Sequence, residues 1–380
     1  MNIVHIGGFK LGTANGSYNA LWNLASAQAK LGHTVTIIRA GKIPSEKDVT
    51  EAKKHGVQLI GCVFPRWKYF WTDRQNRIRE LIKKLNPNIV HLQYVRHPKF
   101  FVISKCLNDL SIPYVVSLHG GMNSTEMKRR KYRKLVYWYL VEARVHKNAA
   151  GIHFVTQQEK QDYNKAGFGH KNMQDIVIPN PVLPPETDMR WERKSNLQKV
   201  SFVYLGRYDI WTKGLDLALE MMSELINRGV RPEFHLFGSH GGIFEKDMDA
   251  LLARFSHVPI YDHGFVSGKE KYEAMMTYDF YIQYSRFELF GLSMVEAMSC
   301  GVPVLISENC DLSEELVNNN AAIKIPMDPV YAADVIHKAL NNKEGIERIS
   351  KSARKLVGSQ FSSPAVAERM EDFYKILISV

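Results

Sequence analysis

Two glutamates eight residues apart, Glu288 and Glu296, bracket Phe290-Gly291-Leu292 in the stretch Phe287–Pro303. Apolar residues alternate at Phe280, Ile282 and Tyr284, then recur at helical spacing from Leu292 through Met294, Val295, Ala297 and Met298, so a strand should give way to a helix near Gly291. Glycine there admits a ligand close to the backbone. The amides of Phe290 to Leu292, at the helix start, lack partners within the helix and favour an anion. Glu288, in the loop before that start, can accept hydrogen bonds from neutral hydroxyls, and Glu296 falls about one and a half turns inside the helix. Two acceptors around an anion cradle suit a sugar joined to a phosphate. A plainer reading makes Glu296 an exposed helix position and Glu288 a partner of the helix dipole, and the pair alone does not decide between them.

Three further groups of residues have chemical potential. Arg207 and Lys213, six apart, flank the passage from the strand Val200–Leu205 to the helix Leu215–Asn227, where a diphosphate would meet both cations and a helix dipole. His119, followed by Gly120-Gly121, ends the strand Pro113–Leu118 at the edge where open α/β sheets bind ligands. Gly16, in the turn GGFKLGTANGS, could offer backbone N–H groups to a phosphate or could simply open a helix. That turn is not G-x-G-x-x-G, and Arg39 stands where a dinucleotide site needs an acid, which argues against a nicotinamide cofactor.

The elements that must position these residues form two βαβ series. The first runs through Asn2–Gly7, a helix Tyr18–Leu31, Thr34–Ile38, Gln58–Cys62, Asn88–Leu92, Pro113–Leu118 and Gly151–Val155, and closes at Ile176–Pro181. Pro181–Asn196 reads as a linker. The second runs through Val200–Leu205, Phe234–Phe237, the strand before Glu288, Val302–Ile306 and Ala321–Ile325, with helices at Lys269–Met276, Pro329–Leu340 and Ser363–Ile378. The expectation is two doubly wound parallel sheets facing each other across a cleft.

With 45% apolar and 23% charged residues in 380, the chain suits two globular cores and excludes disorder. No apolar run reaches the roughly 20 residues that span a bilayer, and Met1–Ile6 enters a strand without a signal-peptide layout, so a soluble cytoplasmic protein is expected. Cys62, Cys106, Cys300 and Cys310 are scattered, as reduced thiols are. Charge is uneven: residues 1–190 hold 29 Lys and Arg against 13 Asp and Glu, leaving 21 against 26 for the rest. Two basic stretches stand out, Phe64–Arg79, which interleaves aromatics and cations, and Met127–Lys147, expected as one helix with an aromatic-aliphatic stripe. The second is either a packed helix with a solvated charged face or a surface for anionic lipid or a phosphorylated acceptor. Asp247-Met248-Asp249 spells D-x-D but lies in an amphipathic helix, so no bound metal is expected.

Taken together these residues resemble the retaining nucleotide-sugar glycosyltransferases of family 4, with the GT-B fold of two Rossmann-like domains. The likeness covers nearly the whole chain: the first loop with Gly16, Leu31-Gly32-His33, His119-Gly120, Ile178-Pro179-Asn180, Gly206-Arg207 with Lys213-Gly214, Glu288-x7-Glu296, and Phe361-Ser362 before the last helix. It implies an acceptor-side domain over 1–185, a nucleotide-sugar donor domain over 186–358, and a helix over 359–380 that returns to the first domain. Arg207 and Lys213 would hold the donor diphosphate, and Glu288 the donor sugar. The segment Leu289-Phe290-Gly291-Leu292 would support phosphate or sugar, Glu296 would take the ribose hydroxyls, and His119 would line the reaction centre. Fixed cations and a helix dipole stabilise a departing diphosphate without metal or other cofactor. Asn15-Gly16, where relatives carry two glycines, and Gly238-Ser239-His240-Gly241 depart from the family pattern.

The expected activity is transfer of a hexose from a UDP- or GDP-linked donor to a glycan or lipid-linked acceptor in cell-surface polysaccharide or glycolipid synthesis. The basic first half would meet an anionic membrane surface, and no nucleic acid is expected as a partner. Two alternatives stay open: a nucleotide-sugar epimerase of similar fold, and a basic non-catalytic protein that binds nucleic acid or lipid surfaces. The second leaves Arg207, Lys213, Glu288 and Glu296 without a purpose.

Overall fold

The computed structural model describes the chain apart from residues 13–14, 64–71, 123–130, 170–173, 184, 186–190, 193–198, 240–244 and 380, and apart from the side chains of 72–75, 131 and 245–246. Most of the aromatic part of Phe64–Arg79, the start of the basic helix with Arg129 and Arg130, much of the Pro181–Asn196 linker and the His240-Gly241-Gly242 loop therefore lie outside the described residues.

The chain divides into two units, one of Met1–Pro181 with Ser363–Val380 and one of Val182–Ser362. These boundaries fall four residues before the expected 185 and four after the expected 358. At the second unit's ends the Val182 amide donates to the Phe361 carbonyl at 2.8 Å, and Val182 bridges Ser362.

In the first unit the described strands are β1 (Asn2–Gly7), β2 (Thr34–Ala40), β3 (Val57–Cys62), β4 (Ile89–Gln93), β5 (Tyr114–Ser117), β6 (Gly151–Phe154) and β7 (Gln174–Val177). They form one parallel sheet in the order β3-β2-β1-β4-β5-β6-β7. Apolar side chains fill both faces. Val4, Ile6, Val90, Leu92 and Val116 pack one way against Phe100, Ile103 and Leu107 of the helix Lys99–Asp109. Ile3, Ile89 and Val115 pack the other way against Val366, Met370, Phe373 and Leu377 of the terminal helix Ser363–Ile378. Sheet order reverses between β1 and β4, which makes their carboxyl ends the switch point where such sheets bind ligands.

The second unit repeats the plan with β8 (Lys199–Arg207), β9 (Arg231–Ser239), β10 (Ile260–Asp262), β11 (Phe280–Gln283), β12 (Val304–Ser307) and β13 (Ile323–Ile325), ordered β10-β9-β8-β11-β12-β13 and parallel throughout. Its switch point lies between β8 and β11, the strands that end at Arg207 and just before Glu288.

Some helices are not legible from apolar spacing. Glu46–Lys54 buries only Ala52, and Lys343–Leu356 turns Ser350 and Ala353 inward between Ile346 and Leu356, so small residues hide its stripe. The basic segment is also not one continuous α-helix: after Lys131–Tyr137 the chain widens to a π-helical turn over Trp138–Glu142 and resumes as Ala143–Lys147. Trp138 is buried against Phe168, with ring centroids 4.0 Å apart, and the buried Glu142 carboxylate accepts the Arg96 amide at 2.9 and 3.0 Å. Trp138 and Glu142, four residues apart, share the inward face; what apolar spacing does not anticipate is that a carboxylate takes a place on it.

Candidate functional site

At the β8/β11 switch point the chain turns from β8 into a short helix, Ile210–Lys213, whose start is capped by the Asp209 carboxylate accepting the Thr212 amide at 3.1 Å. Gly214 then takes φ 63° and leads directly into the helix Leu215–Asn227. A Cβ here would drive into the Tyr284 carbonyl oxygen, so only glycine lets the turn sit this close to β11. The same turn is tied to the loop after β11 by Arg286. Its guanidinium grips both oxygens of Asp216 at 2.8 and 2.7 Å, and its amide donates to the Thr212 carbonyl at 3.0 Å.

That stitching brings Lys213 and Glu288 together. The Lys213 Nζ lies 2.5 Å from Glu288 Oε2, and the two side chains are only 18% and 15% exposed. Gln283 Nε2 donates to the same carboxylate oxygen at 3.2 Å. The sequence reading gave these residues separate tasks, one on diphosphate and one on sugar; in the structure each is the other's partner. Arg207, the last residue of β8, is exposed, and its carbonyl accepts from the Tyr204 hydroxyl at 2.7 Å.

The loop through Glu288 and Leu289 continues to Phe290, which is buried, and Gly291, whose φ of 71° starts the helix Leu292–Ser299. Here the left-handed backbone, rather than lack of space, requires glycine, since a Cβ would have no neighbour nearer than 3.4 Å. Glu296 is not the exposed helix position of the plainer reading: it is 5% exposed. Its Oε1 lies 2.7 Å from the Nζ of Lys271, on the helix Gly268–Met276. Lys271 was missed because Lys269, Glu270 and Lys271 follow one another in sequence and spacing does not say which of the two lysines turns inward. Two polar residues were also missed beside the site: the Ser293 hydroxyl donates to the Leu205 carbonyl at 2.8 Å and lies 2.8 Å from the Tyr281 hydroxyl. The neighbouring thiols are inert, since burial pushes Cys310 up to about 12 and Cys300 up to about 11.

In the first unit, His119 follows β5 with φ 46°, and Tyr94, after β4, has φ 82°. Left-handed backbone at two bulky non-glycine residues marks strain at the carboxyl ends of these neighbouring strands. Their rings lie 5.0 Å apart. The next amide, that of Gly120, donates to the fully buried Glu159 at 2.5 Å, and the other carboxylate oxygen accepts the Val155 amide at 2.8 Å, so Glu159 pins the turn. Burial, then the neighbouring His153, lowers the His119 pKa to about 3, which keeps the imidazole neutral. Gly16 is the first residue of the helix Gly16–Lys30, and the Asn15 side chain already accepts the Ser17 and Tyr18 amides at 3.1 and 3.2 Å. Asp247 and Asp249 point to solvent on either side of the buried Met248. No group of three or more His, Cys, Asp or Glu able to hold a metal occurs among the described residues.

Two doubly wound units that share the order of their first six strands, the second with cations and a helix start at its switch point, define the GT-B class of fold. The family model described as Glycosyltransferase Family 4 matches residues 14–183, and that of Glycosyl transferases group 1 matches 185–356. The chain belongs to the family 4 type of glycosyltransferases, and it is an enzyme of nucleotide-sugar transfer. Among similar proteins, an uncharacterised glycosyltransferase of Methanocaldococcus jannaschii is 22% identical over 94% of this chain and 93% of its own. The solved structure of HepE from Anabaena in complex with UDP superposes with a TM-score of 0.75 at 15% identity, covering 99% of this chain and all of that one (100%). Sucrose-phosphate synthase from Thermosynechococcus elongatus superposes with a TM-score of 0.73 at 18% identity, covering 99% of each chain.

Proposed function

We propose that this chain moves a hexose from a UDP- or GDP-linked donor to a glycan or lipid-linked acceptor, with retention at the anomeric carbon and without a metal. The observation that carries the reading is the Lys213–Glu288 pair at the β8/β11 switch point, beside the N-terminus of Leu292–Ser299. An ammonium has three N–H donors, so Lys213 can take a diphosphate oxygen while keeping Glu288. As the glycosyl C–O bond to phosphate breaks, negative charge grows on the diphosphate, where Arg207, Lys213 and the amides at Phe290–Leu292 stabilise it. The acceptor hydroxyl forms the new C–O bond on the face the phosphate leaves, and its proton passes to the departing phosphate oxygen. Glu288 orients the sugar through its hydroxyls, and Glu296 accepts from the ribose. HepE, a protein of the same fold, is solved with UDP, which supports a nucleoside diphosphate as the ligand. Thermal-shift titration with UDP, GDP and their sugars, followed by mass-spectrometric detection of product, tests the reading. A chain that neither gains stability with any of them nor yields product would refute it.

We also propose that the first unit rests on an anionic membrane surface, at which the enzyme works as a peripheral cytoplasmic protein with a lipid-linked acceptor. Tyr132, Val136, Tyr139 and Leu140 are 84%, 57%, 71% and 65% exposed, at helical spacing, with Arg133, Arg144 and Lys147 exposed on the same segment. An apolar stripe turned to solvent among cations is what an interfacial helix presents. No helix among the described residues is long and apolar enough to cross a membrane.

A further inference from the structure

Beneath the first unit's switch point lies a run of buried imidazoles whose protons can be placed one after another. It begins at His153, whose Nε2 lies 2.7 Å from the Ile178 carbonyl. A carbonyl oxygen only accepts, so Nε2 carries the proton, and Nδ1 of this neutral ring must accept from the Ser117 hydroxyl at 2.5 Å. With its proton so committed, Ser117 Oγ accepts from His91 Nε2 at 2.6 Å. His91 Nδ1 then accepts from the Tyr374 hydroxyl at 2.5 Å.

The run ends there, and a second is read from Gln28. Its side-chain nitrogen has no hydrogen-bond partner among the described residues, and its oxygen faces His5, whose Nε2 donates to it at 2.7 Å. His5 Nδ1 accepts from Gln93 Nε2 at 3.1 Å, and Gln93 Oε1 accepts from His119 Nε2 at 2.8 Å. The Gln28 and Gln93 amides, as oriented in the structure, agree on one direction for this second run. His119 Nδ1 is left as a buried lone pair with no partner among the described residues.

We propose that Gln93 holds His119 as the Nε2–H tautomer, so that its Nδ1 lone pair accepts a hydrogen bond from a hydroxyl group of the bound substrate. The proposal rests on the reading of His119 as a residue of the reaction centre and adds what that residue does. It also assigns Gln93 as a positioning residue: it touches no substrate and acts by fixing a proton on its neighbour. An imidazole in the opposite tautomer would present Nδ1–H to the same hydroxyl and could only donate. A buried acceptor left unpaired is costly until a donor arrives, which is how a site built for a hydroxyl discriminates against groups that cannot donate. The strained backbone at His119 and Tyr94, and the Glu159 carboxylate on the Gly120 amide, hold the ring where this lone pair is useful.

Nitrogen-15 correlation spectra of the imidazoles in the intact, unsubstituted chain test the tautomer without any change to the fold, with His119 assigned by the signal lost in His119→Gln. The expected result at neutral pH is a protonated Nε2 and an unprotonated Nδ1 on His119. Gln93→Met should mix the two tautomers and lower kcat/KM by about tenfold, the effect of one lost hydrogen bond, while Gln93→Glu, which keeps an acceptor oxygen, should restore the spectrum and part of the rate. A protonated Nδ1 in the unsubstituted chain, or a His119 spectrum unmoved in Gln93→Met, overturns the proposal. If the spectra are as expected but His119→Gln transfers sugar at the full rate, the substrate contact falls and with it the reading of His119, while the proton assignment stands.

Discussion

Lowering the pH from 7 to 5 should strip about 6 kcal/mol from the stability of the first unit. The buried histidines cause it. Burial lowers the pKa of His5 and of His153 to about 4 and that of His119 to about 3, and holds His91 well below its ordinary value of 6.5. A base whose folded pKa is depressed leaves stability intact above the unfolded value, here about 6.5. Below it the unfolded chain binds a proton that the folded chain refuses, so stability falls with pH until the folded pKa is reached. At pH 5 each of the three histidines with a stated value costs about 2 kcal/mol, and His91 adds to their sum. Net stabilities of proteins run at roughly 5–15 kcal/mol, so the loss is large enough to unfold this unit in mild acid. Two measurements check it on the full chain: the urea midpoint between pH 7 and 5, and hydrogen exchange of the β1, β4, β5 and β6 amides over the same range. Unfolding at pH 5.5 should take up about three to four protons. A urea midpoint that is flat to pH 5, or uptake of less than one proton, would refute the reasoning.

Removing either member of the Lys213–Glu288 pair, as Lys213→Ala or Glu288→Ala, should lower kcat by about a hundredfold or more with the fold retained, and a rate near that of the unsubstituted chain would sink the assignment. Lys271→Met should raise the donor KM by about tenfold with little change in kcat, and Lys271→Arg should recover it; equal effects on a ribose-free sugar phosphate donor would deny Glu296 its ribose contact. Gly214→Ala should lose about 3 kcal/mol or more, since a Cβ meets the Tyr284 carbonyl and φ is 63°, and an unchanged melting temperature would contradict the geometry. Replacing Tyr132, Tyr139 and Leu140 together by Ser should weaken binding to phosphatidylserine vesicles in a flotation assay, and undiminished binding would return this face to an ordinary solvated surface.

Much of the site is legible from local pattern because its parts are local. The end of β8, the Lys213-Gly214 turn and the Gly291 helix start are each set by a strand period giving way to a helical one across a glycine, and such changes are written in consecutive residues. What local pattern cannot carry is partnership across the fold. Lys213 meets Glu288 because Arg286 and Asp216 clasp two loops 70 residues apart, and Lys271 meets Glu296 because one turn of Gly268–Met276 faces another helix. The imidazole run is less visible still. His5, His91 and His153 stand in apolar strands whose neighbours read as ordinary core, and only the parallel register, which sets His5 beside His91, brings these isolated polar residues together.

Each glutamate of the pair Glu288 and Glu296 is held by a lysine from another element, and on the proposed function this shapes how a donor would bind. Lys213 and Lys271 fix where the Glu288 and Glu296 carboxylates sit. On the proposed function, an incoming diphosphate would meet Lys213 already oriented by Glu288, so the cation need not be recruited from solvent and little reorganisation is needed when the glycosyl bond breaks. On that proposal the two lysines differ in kind. Loss of Lys213 would remove a group that faces growing charge and should appear in kcat, whereas loss of Lys271 would disturb, through Glu296, a contact made equally in ground and transition states and should appear in KM.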